Sequence, residues 1–164
     1  MGCENRRVSI QPQRYGRRIA MSPEERDAFL AEERTCRIAT VAADGTPHVT
    51  PLWFVWHGRR FWIYSLLRSK RWTNLTANPL VSVVVDTGAD YLELRGVELV
   101  GRARPAGEQP RRGEPSPELE PVERIFNSKY GASEGMAYDG RHAWACITPE
   151  REYTWDFRKI AGAR

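Results

Sequence analysis

The 164-residue chain reads as a mainly β protein: an antiparallel barrel, closed or split, of about six to seven strands, with a capping N-terminal helix and one or two short helices. Three observations predict this. Apolar and aromatic runs of strand length recur along the chain, the turns Asp44-Gly45 and His57-Gly58 join them as hairpins, and helix-start signals are few.

Residues 1–20 are polar, Arg-rich and aperiodic and read as a disordered tail, leaving 21–160 as a single domain. Ser22 fits a helix N-cap, Pro23 the first helical position and Glu25 the reciprocal capping-box acceptor. A helix to about Glu33 follows, with Phe29 and Leu30 on its apolar face. Cys36 to Val41 alternates, Asp44-Gly45 turns the chain, and His48 to Trp56 returns. Pro51 cannot donate to a ladder, so it marks an edge or bulge where backbone is free to face a ligand.

Arg60 to Ser65 is the third strand, and a short helix opens at Ser69 and stops at Asn78-Pro79. Leu80 to Asp86 has the continuous apolar character of a buried strand, and Tyr91 to Ala103 is a long alternating one. Residues 104–117 are proline-rich and form an irregular excursion. Glu118 to Tyr130 is helical with Pro121 in its first turn, and His142 to Thr148 and Glu152 to Arg158 are two final strands.

Charge narrows the ligand class. The net charge is +4, and of 25 basic residues only Lys70, Lys129 and Lys159 are lysine. An arginine surplus suits anionic ligands such as phosphates and carboxylates. It would also suit nucleic acid, but five of the six Trp residues lie on apolar strands and 21 acidic residues nearly balance the basic ones, so no nucleic-acid partner is expected. No run approaches the roughly 18 apolar residues of a membrane span. Three scattered cysteines form neither a disulfide framework nor a zinc site, and a cytoplasmic location is the expectation.

The chemistry concentrates at Phe61 to Leu75. Arg68, Lys70 and Arg71 cluster with the hydroxyls of Ser65 and Ser69 where a strand ends and a helix begins. Free N–H groups, a positive dipole end and a flat guanidinium fork make a natural phosphate seat. Other motifs fail their context. Gly131-Ala-Ser-Glu-Gly135 matches a nucleophile elbow but follows a helix instead of a strand. His48, His57 and His142 lack metal-ligand spacing, and no Rossmann or P-loop fingerprint occurs. No catalytic residue and no metal ligand is assigned.

Placed in order, hairpin, strand, basic turn, short helix, buried strand and long strand resemble the pyridoxamine-phosphate-oxidase-like flavin and deazaflavin oxidoreductases, a split β-barrel superfamily. The matching residues are Ile38 to His48, Thr50 to Phe54, Tyr64-Ser65, Ser69-Lys70-Arg71, Asn74-Leu75, Asn78-Pro79 and Leu94 to Gly101, with Trp155 to Arg158 behind them. The resemblance implies a homodimer with cofactors at the subunit interface. It assigns the cofactor to Thr50, Pro51, Leu52, Trp53, Tyr64, Ser65, Ser69, Lys70 and Arg71, with Ser69, Lys70 and Arg71 on its phosphate. Coenzyme F-420, whose acidic tail suits Arg68 and the Arg-rich surface, is favoured slightly over FMN. Trp155 to Lys159 lacks the C-terminal Arg/His signature of the oxidase proper, and Gly96 stands where that enzyme tends to carry Gln, which argues against vitamin B6 oxidation. The expectation is hydride transfer to a small organic substrate. The alternative is a non-catalytic flavin, deazaflavin or haem binder on the same barrel.

Overall fold

The structure is a computed structural model that describes residues 9–10, 16–131 and 135–161. In chain order the elements are β1 (Ser9–Ile10), α1 (Pro23–Glu32), β2 (Thr35–Val41), β3 (Pro47–His57), β4 (Arg60–Leu66), α2 (Lys70–Ala77), β5 (Leu80–Thr87), β6 (Arg95–Ala106), α3 (Glu120–Tyr130), β7 (His142–Asp156) and α4 (Arg158–Ala161). Strands pair in the order β1-β7-β4-β3-β2-β5-β6, and β6 also pairs with β7. That last pairing closes an antiparallel barrel of six strands, with β1 attached in parallel to the outside of β7. The mainly β barrel expected from the sequence is what forms.

Local chemistry sets the ends of the helices. Ser22 accepts from Glu25 N–H at 3.2 Å while the Glu25 carboxylate takes Ser22 N–H at 2.6 Å, the reciprocal capping box expected of this sequence. Ser69 caps α2 by accepting from Trp72 N–H at 3.1 Å. Pro121 falls in the first turn of α3, and Gly131 ends that helix at φ 80°, where a Cβ would be strained.

Strand alternation divides the side chains into two sets. Ile38, Phe54, Phe61, Ile63, Val83, Val85, Val97, Leu99, Ala145 and Ile147 fill the interior, with Phe29 and Leu30 of α1 and Trp72 and Leu75 of α2 packed against them. On the outer surface, Val55, Trp62, Trp144 and Cys146 are buried by Leu119 and Val122 as α3 crosses them. Each fully buried Leu or Phe contributes about 1.5–3 kcal/mol from area removed from water.

Four expectations change. The strand expected at Tyr91 to Ala103 begins only at Arg95, because Tyr91–Glu93 forms a 3-10 turn and Gly88, at φ 103°, lies against the Glu93 carbonyl. The two last strands are one, β7, which runs through Pro149. A register shift between Val100 and Gly101 makes a bulge there, and Gly101 has no Cβ to strike the Thr148 carbonyl. Arg158, expected to end a strand, instead opens α4. Finally, the segment read as a disordered tail contributes β1, a 3-10 turn at Gly16–Arg18 and a buried Ile19 whose carbonyl accepts from Asp156 N–H at 2.7 Å. Residues 1–8 and 11–15 of that segment lie outside the described residues.

Candidate functional site

Strand β3 changes partners half-way along. Thr35 to Val41 of β2 pair with Pro47 to Trp53, whereas β4 pairs only with Phe54 to His57. Past Ile63, β4 continues beside β7 instead, so β3 and β4 part and the barrel opens between Pro47–Trp53 and Tyr64–Leu66. The backbone N–H and C=O of Phe54 are both taken by the Tyr130 hydroxyl, at 3.0 and 2.8 Å, and this hydroxyl also reaches the Arg34 carbonyl just ahead of β2 at 2.8 Å. Backbone groups alternate sides along a strand, so Pro51, three residues away, faces the edge that β4 has left. Its missing N–H therefore costs no ladder bond, as the sequence suggested.

Arg71 crosses the opening. Its guanidinium donates to Thr50 Oγ1 at 2.5 Å and to Ser65 Oγ at 3.2 and 3.1 Å. Ser69 Oγ lies 3.4 Å from Ser65 Oγ while donating to the Leu66 carbonyl at 2.7 Å. Four of the nine expected cofactor residues, Thr50, Ser65, Ser69 and Arg71, thus converge at the start of α2. Among the described residues Arg71 has no carboxylate partner within ion-pair distance. Burial lowers its pKa, the signature of a cation lacking full solvation.

The other five spread out. Lys70 is exposed at the first position of α2, close enough to Asp44 to help lower that carboxyl's pKa, after Thr46's backbone and side-chain hydrogen bonds. Leu52 packs against the interior, and Pro51 is exposed. Trp53, 49% exposed, stacks on Tyr130 with ring centroids 4.4 Å apart and an 8° interplanar angle. Tyr64, next to Ser65 and so on the opposite sheet face, meets Phe126 at 6.1 Å and stacks on His142 at 5.0 Å. Its hydroxyl is buried with no hydrogen-bond partner among the described residues, and burial, then Asp139, pushes its pKa up to about 12.

Sequence reasoning missed α3's part. Phe126 and Tyr130 shape the edge of the opening, yet a helix 76 residues beyond Phe54 gives no signal of where its hydroxyl lands. It also missed the support beneath α3. Arg111, 3% exposed, forks onto Glu123 at 2.8 and 3.1 Å, and Glu123 also accepts from Trp144 Nε1 at 3.0 Å and from Tyr138 OH at 3.1 Å. The proline-rich excursion is thereby pinned to the barrel wall. Trp155, part of the resemblance, lies over Gly96, where any Cβ would enter the indole. Ser133 of the failed elbow lies outside the described residues. No group of three or more His, Cys, Asp or Glu among the described residues could hold a metal ion, and none of their helices is long and apolar enough to cross a membrane.

The family model described as pyridoxamine 5'-phosphate oxidase matches residues 22–156. Among solved structures, a conserved hypothetical protein of Mycobacterium tuberculosis is 26% identical over 92% of both chains, with a TM-score of 0.67. An F420 reductase is 22% identical over 80% of this chain and 98% of its own, with a TM-score of 0.61. HutZ, a heme storage protein of Vibrio cholerae, is 18% identical over 81% of this chain and 94% of its own, with a TM-score of 0.63. Among curated proteins none matches the sequence.

Proposed function

The chain belongs to the pyridoxamine 5'-phosphate oxidase family, and on that premise we propose that it is a homodimeric oxidoreductase holding a flavin or deazaflavin, coenzyme F-420 ahead of FMN. The observation that carries the reading is Arg71: a half-buried guanidinium held by the Thr50 and Ser65 hydroxyls, with no carboxylate partner among the described residues. A phosphate offers that cation the charge it lacks, and Ser65, Ser69 and Thr50 surround the position with hydroxyl donors.

When bound, the cofactor would carry a hydride to or from a small organic substrate. The chain's own residues do the rest. Arg71, with Lys70 at longer range, anchors the phosphate as a charge-assisted hydrogen-bond donor. The free edge of β3 from Val49 to Trp53 offers backbone groups and the exposed Trp53 indole to a flat ring. A second copy laid against that edge would exclude water and complete the pocket.

The carrier reading is kept because the same fold appears in a heme storage protein, and fold does not fix turnover. A fluorescence titration tests the anchor. Lys70→Ala with Arg71→Ala weakens FMN and F-420 uptake at least tenfold, about 1.4 kcal/mol or more, while riboflavin, without the phosphate, loses little. Equal FMN affinity in wild type and double variant refutes the anchor. Oxidation of reduced cofactor by quinones and enones separates an enzyme from a carrier.

A further inference from the structure

Lys129 is one of only three lysines, and it is the one turned against apolar surface. Its Nζ lies 4.0 Å above the Phe54 ring and 5.8 Å from Tyr130, and donates to the Leu30 carbonyl at 2.9 Å in the last turn of α1. No carboxylate stands within ion-pair distance among the described residues. Lys129 borders a cavity of about 540 Å³ between α1 and α3, walled by Ala31, Trp56, Ile125 and Ser128 with Arg124 at its side. That volume lies within the range of small-molecule sites, roughly 300–1,000 Å³.

We propose that this cavity takes small aromatic aldehydes bearing a carboxylate, and that Lys129 condenses with them. The amine attacks the carbonyl carbon, a C=N bond replaces the C=O bond, and the oxygen leaves as water, with no change in oxidation state. Trp56 and Ile125 suit the ring, and Arg124 suits the carboxylate. The present partner of Arg124, Glu120 at 2.8 Å, is a surface ion pair in which both side chains are over 70% exposed, so it yields readily.

The environment raises the share of neutral, nucleophilic amine near neutrality. Burial, then the Arg34 charge, pushes Lys129 down to about 8. The other groups facing it are Glu33 beside Arg34, Cys36 of β2, whose thiol burial raises to about 12, and Tyr130, raised likewise to about 12. None but Glu33 carries negative charge near neutrality. Lys70 is exposed, and Lys159 is paired with Glu25 at 2.5 Å.

Reaction of the full chain with 4-carboxybenzaldehyde and cyanoborohydride at pH 7.5, read by peptide mass mapping, tests this. The predicted result is an adduct at Lys129 forming at least tenfold faster than at Lys70 or Lys159. Even labelling of the three, or slower labelling of Lys129, overturns the proposal. Arg124→Ala lowers the rate with 4-carboxybenzaldehyde at least threefold and leaves that with benzaldehyde unchanged; an equal effect on both overturns the carboxylate assignment. The readout uses none of the residues assigned to cofactor, so it stands or falls apart from the oxidoreductase reading.

Discussion

The barrel has two outer faces that both carry apolar side chains, and they are treated differently. One, carrying Val55, Trp62, Trp144 and Cys146, is covered by α3 and sealed by the Arg111–Glu123 pair. The other runs across β3, β2, β5 and β6 through Val49, Ala39, Val84 and Val100, and no described helix covers it. Val49 is 59% exposed there and Leu80 44%. An open face of this kind, its apolar side chains interleaved with the Arg37–Asp86 and Ser82–Glu98 pairs and meeting the split beside Arg71, is the surface that a second copy would cover. The difference teaches that the covered face serves stability, while the bare one is where the proposed dimer would assemble.

The largest effect is expected on the covered face. Glu123→Gln removes one of the two carboxylates paired with buried Arg111, leaving Glu108, and sets an amide NH2 among the donors of Arg111, Trp144 and Tyr138; it should cost about 3–5 kcal/mol in urea unfolding. A loss under 1 kcal/mol would mean that the seal is ornamental and the contrast between faces overstated. Next comes the bare face. Val84→Lys places a charge at its centre, beside Glu98 and Asp86, where the monomer tolerates it. Sedimentation should show dissociation of the dimer at least a hundredfold easier, about 2.7 kcal/mol, with unfolding free energy of the isolated chain nearly unchanged.

The smallest effect is pH-dependent. Asp139 accepts from the backbone N–H of Arg141 and pairs with His142 at 2.7 Å, and its carboxyl is held down at about 2. A depressed carboxyl stabilises the fold above its unfolded value of about 3.8, and the contribution is lost as pH falls through about 2. Asp139→Asn should therefore flatten the acid limb of stability between about pH 4 and 2, as thermal melts would show, while leaving melting at pH 7 lowered by only a few degrees.

Much of this was written locally. The capping box of Ser22 and Glu25, the Asp44-Gly45 hairpin and the Ser69 cap are each decided within four residues, so short-range reading recovers them. The convergence of Ser65, Ser69 and Arg71 follows from the same short reach, and Thr50 joined them through resemblance. What escaped depends on distant partners. Pro149 ends a strand by every local rule, and only Gly101 across the ladder lets β7 continue. Tyr130 reaches Phe54, and Glu123 reaches Arg111, through the placement of a helix that its own sequence does not specify.

Cofactor titration of the Val84→Lys chain, followed in parallel with its sedimentation, tests most directly whether the bare face and the Arg71 cluster form one site. If they do, uptake of FMN and F-420 falls with the loss of dimer although every residue of the Arg71 cluster is intact. A monomer that takes up either cofactor as tightly as wild type would contradict the account.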